Sequence, residues 1–290
     1  MGQCDMTADT LPPIHLSSWM NACTRGKIDQ LEAMAMGRPW PDLQASIPGT
    51  TSLILAAGNG HLEVCKRLLA NKPLLEARNE VGQTPLFCAV VDDHFEVARL
   101  LLEAGADPCV KDEEETTLIL RAVINGNPHM ASLIYKYGKH DLNALARNGL
   151  SCLEAAMDEK KPTMVHWLLD RGADPDVKDR QTKLTPLWDA TYDDDAGIAQ
   201  ALLAAGAKPN RLDPAGRSYL HVAIEEKNQK VIQVLLDGGA DPYKPDKTKT
   251  SPMECAEGWP RFAEMVAEHE QRKLNADTQP VAKKKSAMRL

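Results

Sequence analysis

The stretch QTPLFCAVVDDHFEVARLLLEAGADPCVK, Gln83 to Lys111, decides how this chain folds. Thr84 is placed to cap a helix with its hydroxyl, and Pro85 follows at the first helical position, where its missing N–H costs nothing. Leu86, Ala89 and Val90 then share one helical face, and the small Ala89 lets a neighbouring helix come close. Asp92-Asp93-His94 breaks the helix and turns the chain. A second helix buries Val97, Leu100 and Leu101 and turns Arg99 and Glu103 outward. Gly105 ends it, because glycine just past a helix enters the left-handed region readily. Ala106-Asp107-Pro108 leads into a long turn, so the unit reads helix, tight turn, helix, long turn.

The same unit recurs along almost the whole chain. A Ser or Thr stands at Thr51, Thr84, Thr117, Ser151, Thr185, Ser218 and Ser251, each followed two residues later by Leu53, Leu86, Ile119, Leu153, Leu187, Leu220 or Met253, at steps of 33 or 34. Gly105, Gly138, Gly172, Gly206 and Gly239 keep phase with them, each 21 residues after its own Ser or Thr. Two markers locked at one period describe stacked modules rather than a single enclosed core. Hydrophobic content of 43% with only 4% aromatics suits many thin Ala/Leu/Val layers. No apolar run reaches 18 residues and the first 13 residues lack a secretory core, so a soluble, cytoplasmic protein is expected. The seven cysteines stand singly, without metal-ligand spacing, and are expected as reduced thiols filling small gaps.

Thr84-Pro85-Leu86-Phe87-Cys88-Ala89 and Ser218-Tyr219-Leu220-His221-Val222-Ala223 resemble the Thr-Pro-Leu-His-x-Ala motif of the ankyrin-repeat family. Gly60-His61-Leu62-Glu63-Val64-Cys65-Lys66-Arg67-Leu68-Leu69 is similar to its second-helix signature, and Leu101 to Asp107, Leu168 to Asp174 and Leu235 to Asp241 to its Leu-Leu-x-x-Gly-Ala-Asp segment. The resemblance implies an all-α solenoid of about eight helix-turn-helix repeats over residues 17–272. A degenerate capping repeat occupies 17–48, aligned on Trp19, Ala22, Gly26, Ile28 and Leu31, and a terminal capping repeat occupies 251–272. Residues 1–16 and the basic tail 273–290 are expected to be disordered. Three departures stand out. Glu115, Lys183 and Lys249 replace the turn glycine found at Gly49, Gly82, Gly149 and Gly216, which leaves those turns open to another shape. The added residue of the two 34-residue steps falls in a turn. Ile54, Phe87, Leu120, Glu154, Trp188 and Glu254 replace the motif His, and Trp188 and the two glutamates are expected to repack locally.

The resemblance further implies a non-catalytic protein-binding module whose partner lies along the concave face of turn tips and first helices. By phase, the candidate contacts are Val91, Asp92, Ile124, Asn125, Asp158, Glu159, Tyr192, Asp193, Asp194, Asp195, Glu225, Glu226 and Trp259, with Glu113 and Glu114 on a turn tip. The chain carries −7 overall, and residues 273–290 hold five cations against Asp277, leaving the repeat body near −11. A negative groove from the third repeat to the seventh is expected to steer a basic partner surface on a toxin, enzyme or signalling protein. Tyr192 and Trp259 are its candidate anchors, while Trp19 and Trp40 read as capping core. No phosphate-cradling loop, nucleophile elbow or His-x-x-x-His pair is present, so neither enzyme activity, cofactor nor metal is expected. Asp193-Asp194-Asp195 reads as a solvated turn and Lys283-Lys284-Lys285 as a solvated tail. No nucleic-acid or membrane partner is expected, and the free protein is expected to be monomeric. The sequence leaves two roles open: an inhibitor or immunity-type neutralising protein, and an adaptor that links two proteins without inhibiting either.

Overall fold

The computed structural model describes residues 13–41, 43 and 49–278, and among these residues the regular elements are helices. Contacts divide the chain into two units, residues 1–164 and 165–290. The first contains α1 (Leu16–Arg25), α2 (Ile28–Ala35), α3 (Ser52–Gly58), α4 (Leu62–Leu69), α5 (Pro85–Val91), α6 (Phe95–Glu103), α7 (Leu118–Asn125), α8 (Pro128–Tyr137) and α9 (Cys152–Asp158). The division falls within α10 (Pro162–Leu169). The second unit contains α11 (Pro186–Tyr192), α12 (Ala196–Ala204), α13 (Tyr219–Glu225), α14 (Gln229–Asp237), α15 (Pro252–Cys255) and α16 (Pro260–Thr278).

Within the first unit, α1, α3, α5 and α7 each pack on their own second helix and on the next first helix: α1 on α3, α3 on α5, α5 on α7 and α7 on α9. Within the second, α11 meets α13, α13 meets α15, α12 meets α14 and α14 meets α16. The repeated apolar position supplies the layers: Leu53, Leu86, Ile119, Leu153, Leu187 and Leu220 are all buried. The repeated alanines at 56, 89, 122, 156, 190 and 223 are equally buried, and their lack of bulk lets the first helices stack closely. Trp19, fully buried, meets Trp40 edge-on at 5.7 Å.

Hydroxyl caps start the first helices. Thr51, Thr84 and Thr117 accept the backbone N–H groups of Ile54, Phe87 and Leu120. Glu154 and Glu254 have a local explanation: each carboxylate turns back to accept the backbone N–H and hydroxyl of Ser151 or Ser251, completing a capping box in place of the motif histidine. His221 does the same through Nδ1 and donates from Nε2 to the Thr250 carbonyl at 3.0 Å. Thr185 departs from the expected pattern. Its hydroxyl pairs with the buried Tyr219 hydroxyl at 2.8 Å instead of capping α11.

Three other expectations are corrected. Glu115, Lys183 and Lys249 keep the turn in the same left-handed shape, with φ of 58°, 62° and 66°, beside 73° at Gly49 and 76° at Gly82. Glycine is indispensable at Gly49, where a Cβ would lie 1.8 Å from the Arg78 carbonyl oxygen. Gly138 is extended (φ −143°) rather than left-handed, unlike Gly105, Gly172, Gly206 and Gly239. The boundary expected after residue 272 falls inside α16, which continues to Thr278 and is held to α14 by His269 and Arg272 on Asp237. Residues 279–290, with the lysine triplet, and 1–12 lie outside the described residues. None of the described helices is long and apolar enough to cross a membrane.

Candidate partner-binding surface

The C-terminal ends of the first helices carry the residues singled out by phase. In the first unit, Val91 ends α5 half-buried and Asp92 follows it exposed. Ile124 is half-buried at the end of α7. Asn125 belongs to the scaffold: its amide donates to the carbonyls of Val90 and Val91 at 2.9 and 3.1 Å, tying α7 to the end of α5. The short side chain at this position reaches the preceding helix end, where carbonyls lack helical partners. Glu113 and Glu114 are exposed on the turn before α7, with Arg147 3.7 Å from Glu114. Asp158 and Glu159 are exposed at the end of α9.

In the second unit Tyr192, the last residue of α11, is 58% exposed and lies flat on Trp188, rings 5.2 Å apart and 8° from parallel. Trp188 stands where the motif histidine would be and serves as a platform for the tyrosine. Asp193 and Glu226 are exposed beside it. Asp194 accepts the Asn228 amide of the next repeat, as Asp93 accepts that of Asn127 in the first unit. Asp195 caps α12 by accepting the Ile198 N–H at 2.9 Å, so its carboxylate has a structural task. Glu225 is 3.0 Å from the Arg217 guanidinium. Tyr192, Asp194, Glu226, Lys227, Asn228, Gln229 and Lys230 line an open hollow of about 540 Å³. Trp259 is half-buried against the fully buried Phe262 at 6.3 Å, which makes it part of the terminal packing more than a free anchor.

The turn tips do not share one sign, contrary to the expected uniformly negative groove. Residues 112–116 of the first unit hold four carboxylates and no cation, but 178–184 and 244–250 of the second each hold three cations against one Asp. That aspartate is spent on its own turn. Asp179 accepts the Thr182 and Gln181 N–H groups, and Asp246 the Thr248 and Thr250 N–H groups with the Thr248 hydroxyl, which holds both carboxyls below the usual range. Burial pushes the Asp213 carboxyl up, but bonds from the Arg217 backbone and guanidinium outweigh it and leave the group lowered. The signal for these tips was present in the sequence as the recurring Asp five or six residues before the repeat's Ser or Thr, followed in the second unit by Arg180, Lys183, Lys247 and Lys249.

The sequence pattern of ankyrin repeats, in three copies, matches residues 19–112 and 160–246. The B-cell lymphoma 3 protein homolog of Mus musculus is 30% identical over 200 residues, covering 67% of this chain and 45% of that protein. This chain therefore spans less than half the length of that relative. Among solved structures, the ankyrin repeat domain of Bcl-3, described as a unique member of the IkappaB protein family, superposes with a TM-score of 0.66 at 29% identity, over 76% of this chain and 99% of that one. The human ASB11 ankyrin repeat domain superposes with a TM-score of 0.63 at 25% identity, over 77% and 98%. Motif, helix pairing and stacked layers agree with these matches: the chain belongs to the ankyrin-repeat family, whose repeats serve as protein–protein interaction domains.

Proposed function

We propose that this chain is a non-catalytic binding module that occupies a basic surface of another protein and thereby blocks it, as an inhibitor or immunity-type neutralising protein does in the cytoplasm. The carrying observation is the exposed Tyr192, stacked on Trp188, followed in sequence by Asp193 and sharing a hollow with Asp194 and Glu226. A rigid aromatic ring amid carboxylates offers buried contact area to the stem of an Arg or Lys while the acids receive its charge. Asp92, Glu113, Glu114, Asp158 and Glu159 extend the same chemistry in the first unit.

The test is the fourfold variant Asp193→Lys, Asp194→Lys, Glu225→Lys, Glu226→Lys. The left-handed backbone at Asp194 (φ 61°) tolerates the change, because Lys160 (51°) and Lys227 (53°) hold the equivalent place in the flanking repeats. A fluorescent lysine-rich peptide should bind the natural chain at low salt and lose at least about ten-fold in affinity to the variant. Equal affinity, with unchanged circular dichroism, refutes the acidic-row reading. Once a natural partner is in hand, one-to-one loss of its activity marks an inhibitor, and full activity in the complex marks the adaptor.

A further inference from the structure

The inner face of the second unit is charge-segregated. Its helix-end edge carries Asp193, Asp194, Glu225, Glu226 and Glu257, all exposed. Its turn-tip edge carries Arg180, Lys183, Lys247 and Lys249, also exposed, with no carboxylate within ion-pair distance among the described residues. Lys183 and Lys249 hold their charges in the left-handed slot that glycine fills at Gly82 and Gly216. Arg217 connects the edges, pairing with Asp213 on the tip side and Glu225 at the far end of α13, each at 3.0 Å.

Distance then selects the ligand. The helices α11 and α13 between the two edges have seven residues each, about 10 Å at 1.5 Å per residue. An α-helix with side chains is about 10–12 Å across, whereas an extended strand needs only about 5 Å and would meet one edge alone. Along the stack, adjacent helices lie about 8–10 Å apart, and seven residues of a docked helix advance about 10.5 Å. Successive heptads of a helix crossing the repeats thus stay in step with successive tips, and the two cationic tips, two repeats apart, face positions two heptads apart.

We propose that this face binds an α-helical segment of a partner protein bearing Asp or Glu two heptads apart on the flank toward the tips, and Lys or Arg on the opposite flank toward the helix-end row. The inference rests on the reading above that the helix-end row receives basic side chains, and adds the requirement for acids on the other side. A partner that is basic all round binds more weakly than a segregated one, because like charge opposes it at the tips.

Two three-heptad alanine-based peptides of identical composition and matched helicity test this against the full chain by fluorescence anisotropy at low salt. One has Glu on one flank and Lys on the other; its isomer mixes both on each flank. The segregated peptide should bind about ten-fold more tightly. The preference should vanish in the Lys183→Glu, Lys247→Glu, Lys249→Glu variant, whose fold is safeguarded by the native precedent of Glu115 in the left-handed slot. Equal binding of the isomers, or a preference that survives the tip variant, overturns the inference. If an all-Lys helix binds as well as the segregated one, the inference fails while the acidic-row reading stands. If neither the segregated nor the all-Lys peptide binds, both fail. Tighter binding of an all-Glu helix also overturns it, because the tips would then act alone.

Discussion

Glu115, Lys183 and Lys249 make a stability prediction that can be worked from backbone geometry alone. Each has φ near +60° in a turn slot that other repeats give to glycine. An L-residue in that conformation costs about 1–2 kcal/mol, from the crowding of Cβ against the following carbonyl oxygen. Glycine removes the clash but makes the unfolded chain more flexible, at about 0.5–1 kcal/mol. Each change to glycine should therefore stabilise by about 0.5–1 kcal/mol. The Lys183 ammonium gives up a bond to the Arg180 carbonyl, but both residues are exposed and water replaces it. The sites are two repeats apart, so the triple variant should gain about 1.5–3 kcal/mol, with near-additive effects. Urea unfolding followed by circular dichroism reads this as a rise in the midpoint at unchanged slope. A triple variant no more stable than the natural chain would refute the strain argument, and a slope change would show that it acted on the unfolded ensemble.

In the Cys4→Ala background, Ellman's reagent should modify the exposed Cys109 and Cys255 quickly, and Cys23, Cys65, Cys88 and Cys152 only on unfolding. Burial pushes Cys65, Cys88 and Cys152 up to about 12, so fast labelling of any of these would contradict the packing. Asn125→Ala should destabilise the first unit by about 1–2 kcal/mol, through the Val91 carbonyl left unpaired and the bond lost to the Val90 carbonyl, while leaving affinity for a lysine-rich peptide nearly unchanged. A large affinity loss without destabilisation would return Asn125 to the binding surface. Asp179, Asp213 and Asp246 are lowered in the folded state, so their contribution is complete above the unfolded carboxylate range and disappears as pH falls through the folded values. Thermal unfolding should thus hold level down to about pH 4 and weaken below it. In a variant with all three changed to Asn, which keeps an acceptor for the turn N–H groups, that acid step should shrink. An unaltered step would place the loss in other groups.

The architecture was legible because its causes are local and repeated. A capping hydroxyl, a buried Leu, a small Ala and a helix-ending Gly specify one helical hairpin, and the period repeats it. Where the motif broke, local chemistry still explained much: a glutamate three residues after Ser151 or Ser251 is the sequence mark of a capping box. Thr185 read as a cap because nothing nearby in sequence competes for its hydroxyl. Its actual partner is Tyr219, one repeat away.

The candidate surface was legible in position but only partly in character. Phase alone placed Tyr192, Asp193, Glu225 and Glu226 at the exposed ends of first helices, since that location follows from helical period and repeat length. Which of these residues were already engaged depended largely on groups one repeat away: Asp194 meets Asn228 and Asn125 meets the Val90 and Val91 carbonyls, while Trp259 rests on the nearby Phe262. Sequence by itself thus determined the repeat, the helix faces and the residues that face outward, because short-range sterics and hydrophobic period act within one hairpin. Tertiary structure alone decided which charges remain available, because stacking brings each repeat's polar groups against the next and hydrogen bonding there consumes some and leaves others in water.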